Sequence, residues 1–190
     1  MGSKVQNIVL GTLTVCLISL TVIYARLTQK LDINANSNSK SSTWDIHFEN
    51  LNSSVIGKAK LSSDNQLAIM NDSTTISGSV GNLYLPGDSI IYTFDIVNKG
   101  TIPAVLSVSP TISVPECSSI DITSSNDVCS NVEYTLTYAD GTEIKTGDSL
   151  DDGEKRAAKL TLSLKDEMSS VPSEDVDITN IAATLFYSQK

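Results

Sequence analysis

The chain has 190 residues, enough for one folded domain and a short accessory segment but not for two full domains. Its 13 basic and 22 acidic residues give a net charge of −9, and residues 44–190 alone hold 9 basic against 21 acidic, a net of −12. Nucleic-acid binding draws its affinity mainly from Lys and Arg neutralising phosphates, so a surface this acidic excludes nucleic acid as an expected partner.

No charged residue occurs from 5 to 25, and residues 8–25 are mostly Val, Leu, Ile and Thr. The run falls a little short of the ~20 residues that span a bilayer, unless flanking residues are recruited. It exceeds the roughly 7–15 apolar residues of a signal peptide. Residues 1–27 are therefore expected to form a transmembrane or signal helix, the chain's contact with a membrane. In one reading the helix is retained, with the domain outside the cell. In the other it is cleaved after a small residue such as Ala25 and the domain is secreted, although Ile23 suits that cleavage poorly. Lys4 and the amino terminus compete with Arg26 and Lys30, so the charge bias that orients such a helix is weak. A buried helix of a soluble protein is the plainer alternative. Retention is preferred, and Cys16 then serves as a small core or lipid-facing residue.

Residues 28–43, rich in Asn, Ser and Lys, read as a polar tether. Residues 44–190 are the expected domain, and Thr, Ser, Val, Ile and Asn dominate it, a composition of strands and turns. Trp44, Ile46 and Phe48 alternate with Asp45, His47 and Glu49, which predicts a first strand with aromatics inward. His47, the only histidine, then points outward, and an ordinary surface role is favoured over catalysis or metal binding. Residues 52–73 read as loop, with a short strand near 66–70. The Asn52-Ser53-Ser54 and Asn71-Asp72-Ser73 matches to the glycosylation pattern carry no argument in so Ser- and Asn-rich a chain. Ile76, Val80 and Leu83 are core candidates of the next strand, with Gly78 and Gly81 as bulge sites.

A Pro-Gly turn then launches Ile90, Tyr92, Phe94 and Ile96 at every second position. Asn98-Lys99-Gly100 turns the chain into a second extended run over 102–108, so 85–108 is expected to be the central hairpin. Pro110 and Pro115 make 109–131 an excursion. Cys117 and Cys129 frame it, and a disulfide between them is expected in an exported chain, two unrelated thiols being the alternative. Val132, Tyr134, Leu136 and Tyr138 form the next alternating strand, with a hairpin turn signal at Asp140-Gly141. Ala158, Leu160, Leu162 and Leu164 form another, and 176–187 closes the fold. About eight strands with frequent turns predict an all-β, immunoglobulin-like antiparallel sandwich. Gly87-Asp88 and Gly153-Glu154 each precede a strand with the same apolar offsets, which is either one repeated device or chance.

Asp148, Asp151, Asp152 and Glu154 form the densest acidic cluster, but their spacing breaks the EF-hand pattern and a solvated turn is favoured. No Gly-x-Ser-x-Gly elbow, phosphate-cradling loop or zinc ligand set occurs. No catalytic residue, cofactor or metal is expected.

At LPGDSIIYTFDIVNKGTIPAVL, residues 85–106, the chain resembles a turn–strand–turn pattern of bacterial surface proteins. With the apolar N-terminal run, it resembles the TasA/camelysin-type exported proteins of Gram-positive bacteria. The resemblance covers residues 44–108 and, less clearly, YTLTYADGTEI and ATLFYSQK. It implies an immunoglobulin-like sandwich and assembly into matrix fibres by strand donation. The sequence departs from that group in lacking a clear small-residue cleavage site, which bears on assembly more than on fold. The expected function is thus a non-enzymatic surface protein with a structural or interaction role, its partners other surface proteins or copies of itself. A secreted fibre subunit is the alternative, and a surface hydrolase or metal-dependent protease is the alternative of another class.

Overall fold

A computed structural model describes residues 41–71, 74–166, 172 and 174–190, together with Leu17. The expected N-terminal helix, Cys16 and nearly all of the tether lie outside the described residues. The chain divides into two units, Met1–Ser41 and Ser42–Lys190, and the fold is that of the second. Among the described residues no helix is long and apolar enough to cross a membrane.

In chain order the strands are β1 (Ile46–Ile56), β2 (Lys60–Leu61), β3 (Ala68–Ile69), β4 (Thr75–Gly78), β5 (Gly81–Asn82), β6 (Ser89–Asn98), β7 (Ala104–Leu106), β8 (Thr111–Ile112) and β9 (Glu116–Ser118). Helix α1 (Ile122–Asn131) follows, then β10 (Val132–Tyr138), β11 (Ser149–Leu150), β12 (Lys155–Leu164), β13 (Asp177–Thr179), β14 (Ile181–Thr184) and β15 (Tyr187–Gln189). The expected all-β class is correct, and every strand pair within the four sheets is antiparallel.

The largest sheet has the order β1-β6-β12-β10. Alternation decides which side of it is wet. Ile90, Tyr92, Phe94 and Ile96 of β6 are buried beside Ala158, Leu160, Leu162 and Leu164 of β12, as their period-two spacing predicts. Phe48 of β1 packs on Phe94 with ring centroids 4.7 Å apart. Three smaller sheets, β11-β7-β15, β2-β5-β13-β9 and β3-β4-β14-β8, contribute Ile76, Val80, Leu106, Ile178, Ile181 and Leu185 to the same core. These sheets are short because the chain is kinked between them. Asn180 takes a φ of 55° between β13 and β14, and Gly78 and Gly81 take φ of 149° and 129° around the β4–β5 break. A Cβ at Gly81 would lie 2.0 Å from the Lys60 carbonyl oxygen, so a neighbouring backbone occupies the space that a side chain needs.

Several expectations need correction. The stretch 85–108 is not a hairpin: β6 pairs with β1 and β12, whereas β7 pairs with β11 and β15. Asn98-Lys99-Gly100 instead turns the chain from one sheet into another, because both flanking strands have apolar faces that the shared core must cover. β1 does not stop at Glu49 but passes a bulge at Asn50, φ 56°, and continues to Ile56. Trp44 precedes β1 and is 42% exposed, so only Ile46 and Phe48 of that aromatic and apolar set enter the core. The excursion 109–131 is not merely irregular chain but contains β8, β9 and the helix α1.

Candidate functional site

The side chains that organise the fold's two ends are carboxylates and one amide. Leu85-Pro86-Gly87-Asp88 closes a turn in which the Asp88 N–H donates to the Leu85 carbonyl at 3.0 Å. The Asp88 carboxylate in return accepts the Leu85 N–H at 2.9 Å. The same reciprocal pair recurs where the Glu154 N–H donates to the Asp151 carbonyl at 3.1 Å and its carboxylate accepts the Asp151 N–H at 2.7 Å. A third copy joins Lys145 and Asp148, at 3.1 Å through the backbone and 3.0 Å through the side chain. Gly87, Gly147 and Gly153 occupy the third position of each turn with φ of 83°, 93° and 71°, the geometry of a type II turn. The echo between Gly87-Asp88 and Gly153-Glu154 is therefore one repeated device, placed at opposite ends of the adjacent antiparallel strands β6 and β12. Its third instance, Gly147-Asp148, is legible in the same glycine–acid dipeptide, although its aspartate is also the first member of the acidic cluster. That cluster is divided instead: Asp148 serves one turn and accepts the Tyr138 hydroxyl at 3.0 Å, while Glu154 serves another and pairs with Arg156 at 2.7 Å.

Asp88 is buried and also accepts the Lys58 N–H at 2.8 Å and the Tyr84 N–H at 3.0 Å. Burial pushes its pKa up, but donation from Lys58, Leu85 and Tyr84 outweighs that and holds the carboxyl below the usual value. At the other end Asn98, fully buried, donates to the carbonyls of Ile102 at 2.9 Å and Leu150 at 3.2 Å. Its own oxygen accepts the Gly100 N–H at 3.0 Å. One amide thus closes the turn between the sheets and ties β11 to it. A residue with only donors or only acceptors could not make both kinds of bond.

The Asn98 turn also gathers the ends of the folded unit. Thr43 and Thr101 exchange two hydrogen bonds of 2.9 Å, and the Lys190 N–H donates to Pro103 at 3.1 Å. Both ends of the chain in this unit therefore lie at one pole. The opposite pole carries Gly57, Lys58, Tyr84, Asp88 and Lys165, about 30 Å away along the ten residues of β6.

Cys117 and Cys129 lie at disulfide distance, Cα to Cα 5.8 Å, as expected, and join β9 to α1. Asp121 caps the helix by accepting the Thr123 and Ser124 N–H groups, each at 3.1 Å, and the Ser124 hydroxyl at 2.7 Å. Ser124, Ser125 and Val128 form the buried face. Aspartate preceding Ile122-Thr123-Ser124 was the sequence signal for this start, but Thr, Ser and Asn are weak helix formers and masked it.

His47 lies on the outward face of β1, as expected. One ring nitrogen meets Asp45 at 2.7 Å and the other meets Glu49 at 2.9 Å, and Glu49 pairs in turn with Lys99. Hydrogen bonding to Glu49 raises the pKa of the ring, burial opposes this, and Asp45 adds to the rise. Both nitrogens are occupied, and among the described residues no group of three or more His, Cys, Asp and Glu side chains could hold a metal ion.

Open cavities among the described residues include two in which a cation lies over a tyrosine ring. One, of about 400 Å³, is lined by Tyr138, Asp140 and Arg156, with the guanidinium 5.6 Å from the centre of the Tyr138 ring. The other, of about 320 Å³, is lined by Lys58, Lys60, Tyr84, Leu85 and Pro172, with the Lys60 ammonium 5.3 Å from the centre of the Tyr84 ring. The buried Tyr84 hydroxyl has no hydrogen-bond partner among the described residues. No family model matches the chain, and comparison with characterised proteins and with solved structures gives no match.

Proposed function

We propose that the chain is a non-enzymatic surface protein, an immunoglobulin-like β-sandwich held outside a cell membrane by its N-terminal apolar segment, with a structural or interaction role. The observation that carries this reading is the gathering of Thr43 and Lys190 at one pole, which suits a module tethered at one end and presenting the other. The Cys117–Cys129 pair suits an oxidising compartment. A sandwich is supported by the long sheet β1-β6-β12-β10 and three short sheets sharing one core. Kinship with the TasA/camelysin group rests on the motif of residues 85–106 and is part of the proposal.

The test is labelling of intact host cells with a membrane-impermeant amine reagent. Labelled domain lysines in the membrane fraction support the reading, and a chain protected from the reagent until lysis refutes it. Mass spectrometry of the mature N-terminus separates tether from release: a start near Arg26 selects the secreted form.

A second reading, a fibre subunit growing by strand addition, is favoured by one feature. β1 is an edge strand of its sheet, and its last residues expose Val55 and Ile56. Fibres seen by electron microscopy for chain lacking residues 1–25, and lost in Val55→Lys, would select it.

A further inference from the structure

We propose that the pole remote from the chain ends is a self-docking surface, through which two copies pair reciprocally about a two-fold axis. Two features of opposite character meet there. The first is a knob between β9 and α1, where Ile120 is 99% and Ile122 74% exposed. The Cys117–Cys129 link and the Asp121 cap hold it, so little ordering is required when it binds. The charged residues nearest to it along the chain are acidic, Glu116, Asp121, Asp127 and Glu133, and no Lys or Arg occurs between Lys99 and Lys145.

The second is the 320 Å³ cavity, whose apolar wall of Tyr84, Leu85 and Pro172 is flanked by Lys58 and Lys60. Neither lysine has a carboxylate within salt-bridge reach among the described residues. In a domain where acids outnumber bases 21 to 9, two lysines beside an apolar hollow form an acceptor for an acid-ringed apolar group. The knob is such a group.

Register places the two features. Ser118, Asp177, Asn82 and Lys60 are successive partners across β9, β13, β5 and β2. Knob and cavity therefore stand at the two edges of one sheet, at the same end, about 14 Å apart by three strand spacings. A two-fold axis between them brings the knob of each copy to the cavity of the other, an isologous contact that closes as a dimer. An anionic lipid surface is the less suited partner for exposed isoleucines here, since the carboxylates around them repel its headgroups. The contact is small, so a dissociation constant on the order of 100 μM is expected, effective chiefly when copies are arrayed. If the chain is tethered as proposed above, pairing at this pole joins two facing surfaces; the dimer itself does not rest on that reading.

The test is sedimentation equilibrium of the full chain in detergent, from about 10 μM to about 1 mM. A reversible dimer that weakens at high salt is expected. Ile120→Arg and Lys60→Glu should each weaken it at least about tenfold, and the two together should restore it. Both side chains are exposed, and circular dichroism verifies that the variants fold. A monomer at every concentration overturns the proposal, as does a dimer indifferent to both substitutions. Ile120-dependent binding to phosphatidylglycerol vesicles by a chain that stays monomeric also overturns it, in favour of a lipid-seeking tip. Surface labelling of cells changes none of these outcomes, so the two readings fail separately.

Discussion

Asp88 accepts the backbone N–H of Lys58 at 2.8 Å, joining two turns thirty residues apart beneath a buried carboxylate. Gly57 makes this possible: a Cβ there would sit 2.1 Å from the same Asp88 oxygen. Asp88→Ala leaves the N–H groups of Lys58, Tyr84 and Leu85 without their acceptor. A loss of about 2–4 kcal/mol is expected from urea unfolding. Asp88→Asn turns one carboxylate oxygen into an N–H donor that faces the Lys58 N–H, or those of Tyr84 and Leu85, and should cost about as much.

The same carboxylate gives a pH dependence. Its folded pKa lies below the unfolded value, so its contribution is fully present above the unfolded pKa and is lost as pH falls through the folded one. The urea midpoint of the natural chain should therefore fall below about pH 4, and more steeply than that of Asp88→Asn. Equal slopes for the two chains would show that Asp88 is not the titrating group.

Asn98 separates chemistry from size. Asn98→Asp is nearly isosteric but aims a second oxygen at the carbonyls of Ile102 and Leu150, where the amide now donates. It should therefore destabilise more than Asn98→Ala, with losses of about 3–5 against about 2–3 kcal/mol. The reverse order in denaturant unfolding would mean that the amide merely fills space.

The legibility of the fold follows from where its information lies. The inward residues of β6, β10 and β12 could be read directly, because strict alternation depends only on local sequence and one buried face. Partners could not. Whether Asn98-Lys99-Gly100 returns the chain to its own sheet or carries it to another depends on long-range pairing, and both outcomes use the same turn residues. α1 was hidden because its stability comes from a disulfide, a cap and one buried valine rather than from helix propensity. His47 is outward as its alternation predicts, and the same alternation puts Asp45 and Glu49, two residues to either side, on its face, where they pair with its ring. The acidic cluster does form turns, as expected, but sequence proximity does not show that the turns beginning β11 and β12 take Asp148 and Glu154 to separate duties.

Reduction of the Cys117–Cys129 link should act locally. Closing a loop of this length stabilises by about 3 kcal/mol in the chain-entropy model. α1 has no basic residue in its last turn and little apolar surface to hold it otherwise. Cys129→Ser is expected to abolish hydrogen-exchange protection over 122–131 while leaving that of β6 and β12 intact. Uniform loss of protection would make the link a global rather than a local constraint.

His47 supplies a dependence of opposite sign to that of Asp88. With its pKa raised by Glu49 and Asp45, the protonated ring is favoured in the folded state. Its contribution is present in full below the unfolded value near 6.5 and fades as pH rises through the higher folded value. A titration of the ring protons by NMR should place the midpoint above 6.5. Glu49→Gln should lower it more than Asp45→Asn, since the Glu49 hydrogen bond is the larger cause. The effect on stability is small because the group lies at the surface, so the chemical shift is the decisive readout. A midpoint at or below 6.5, or one unmoved by Glu49→Gln, would show that the two flanking carboxylates do not hold the imidazolium in solution.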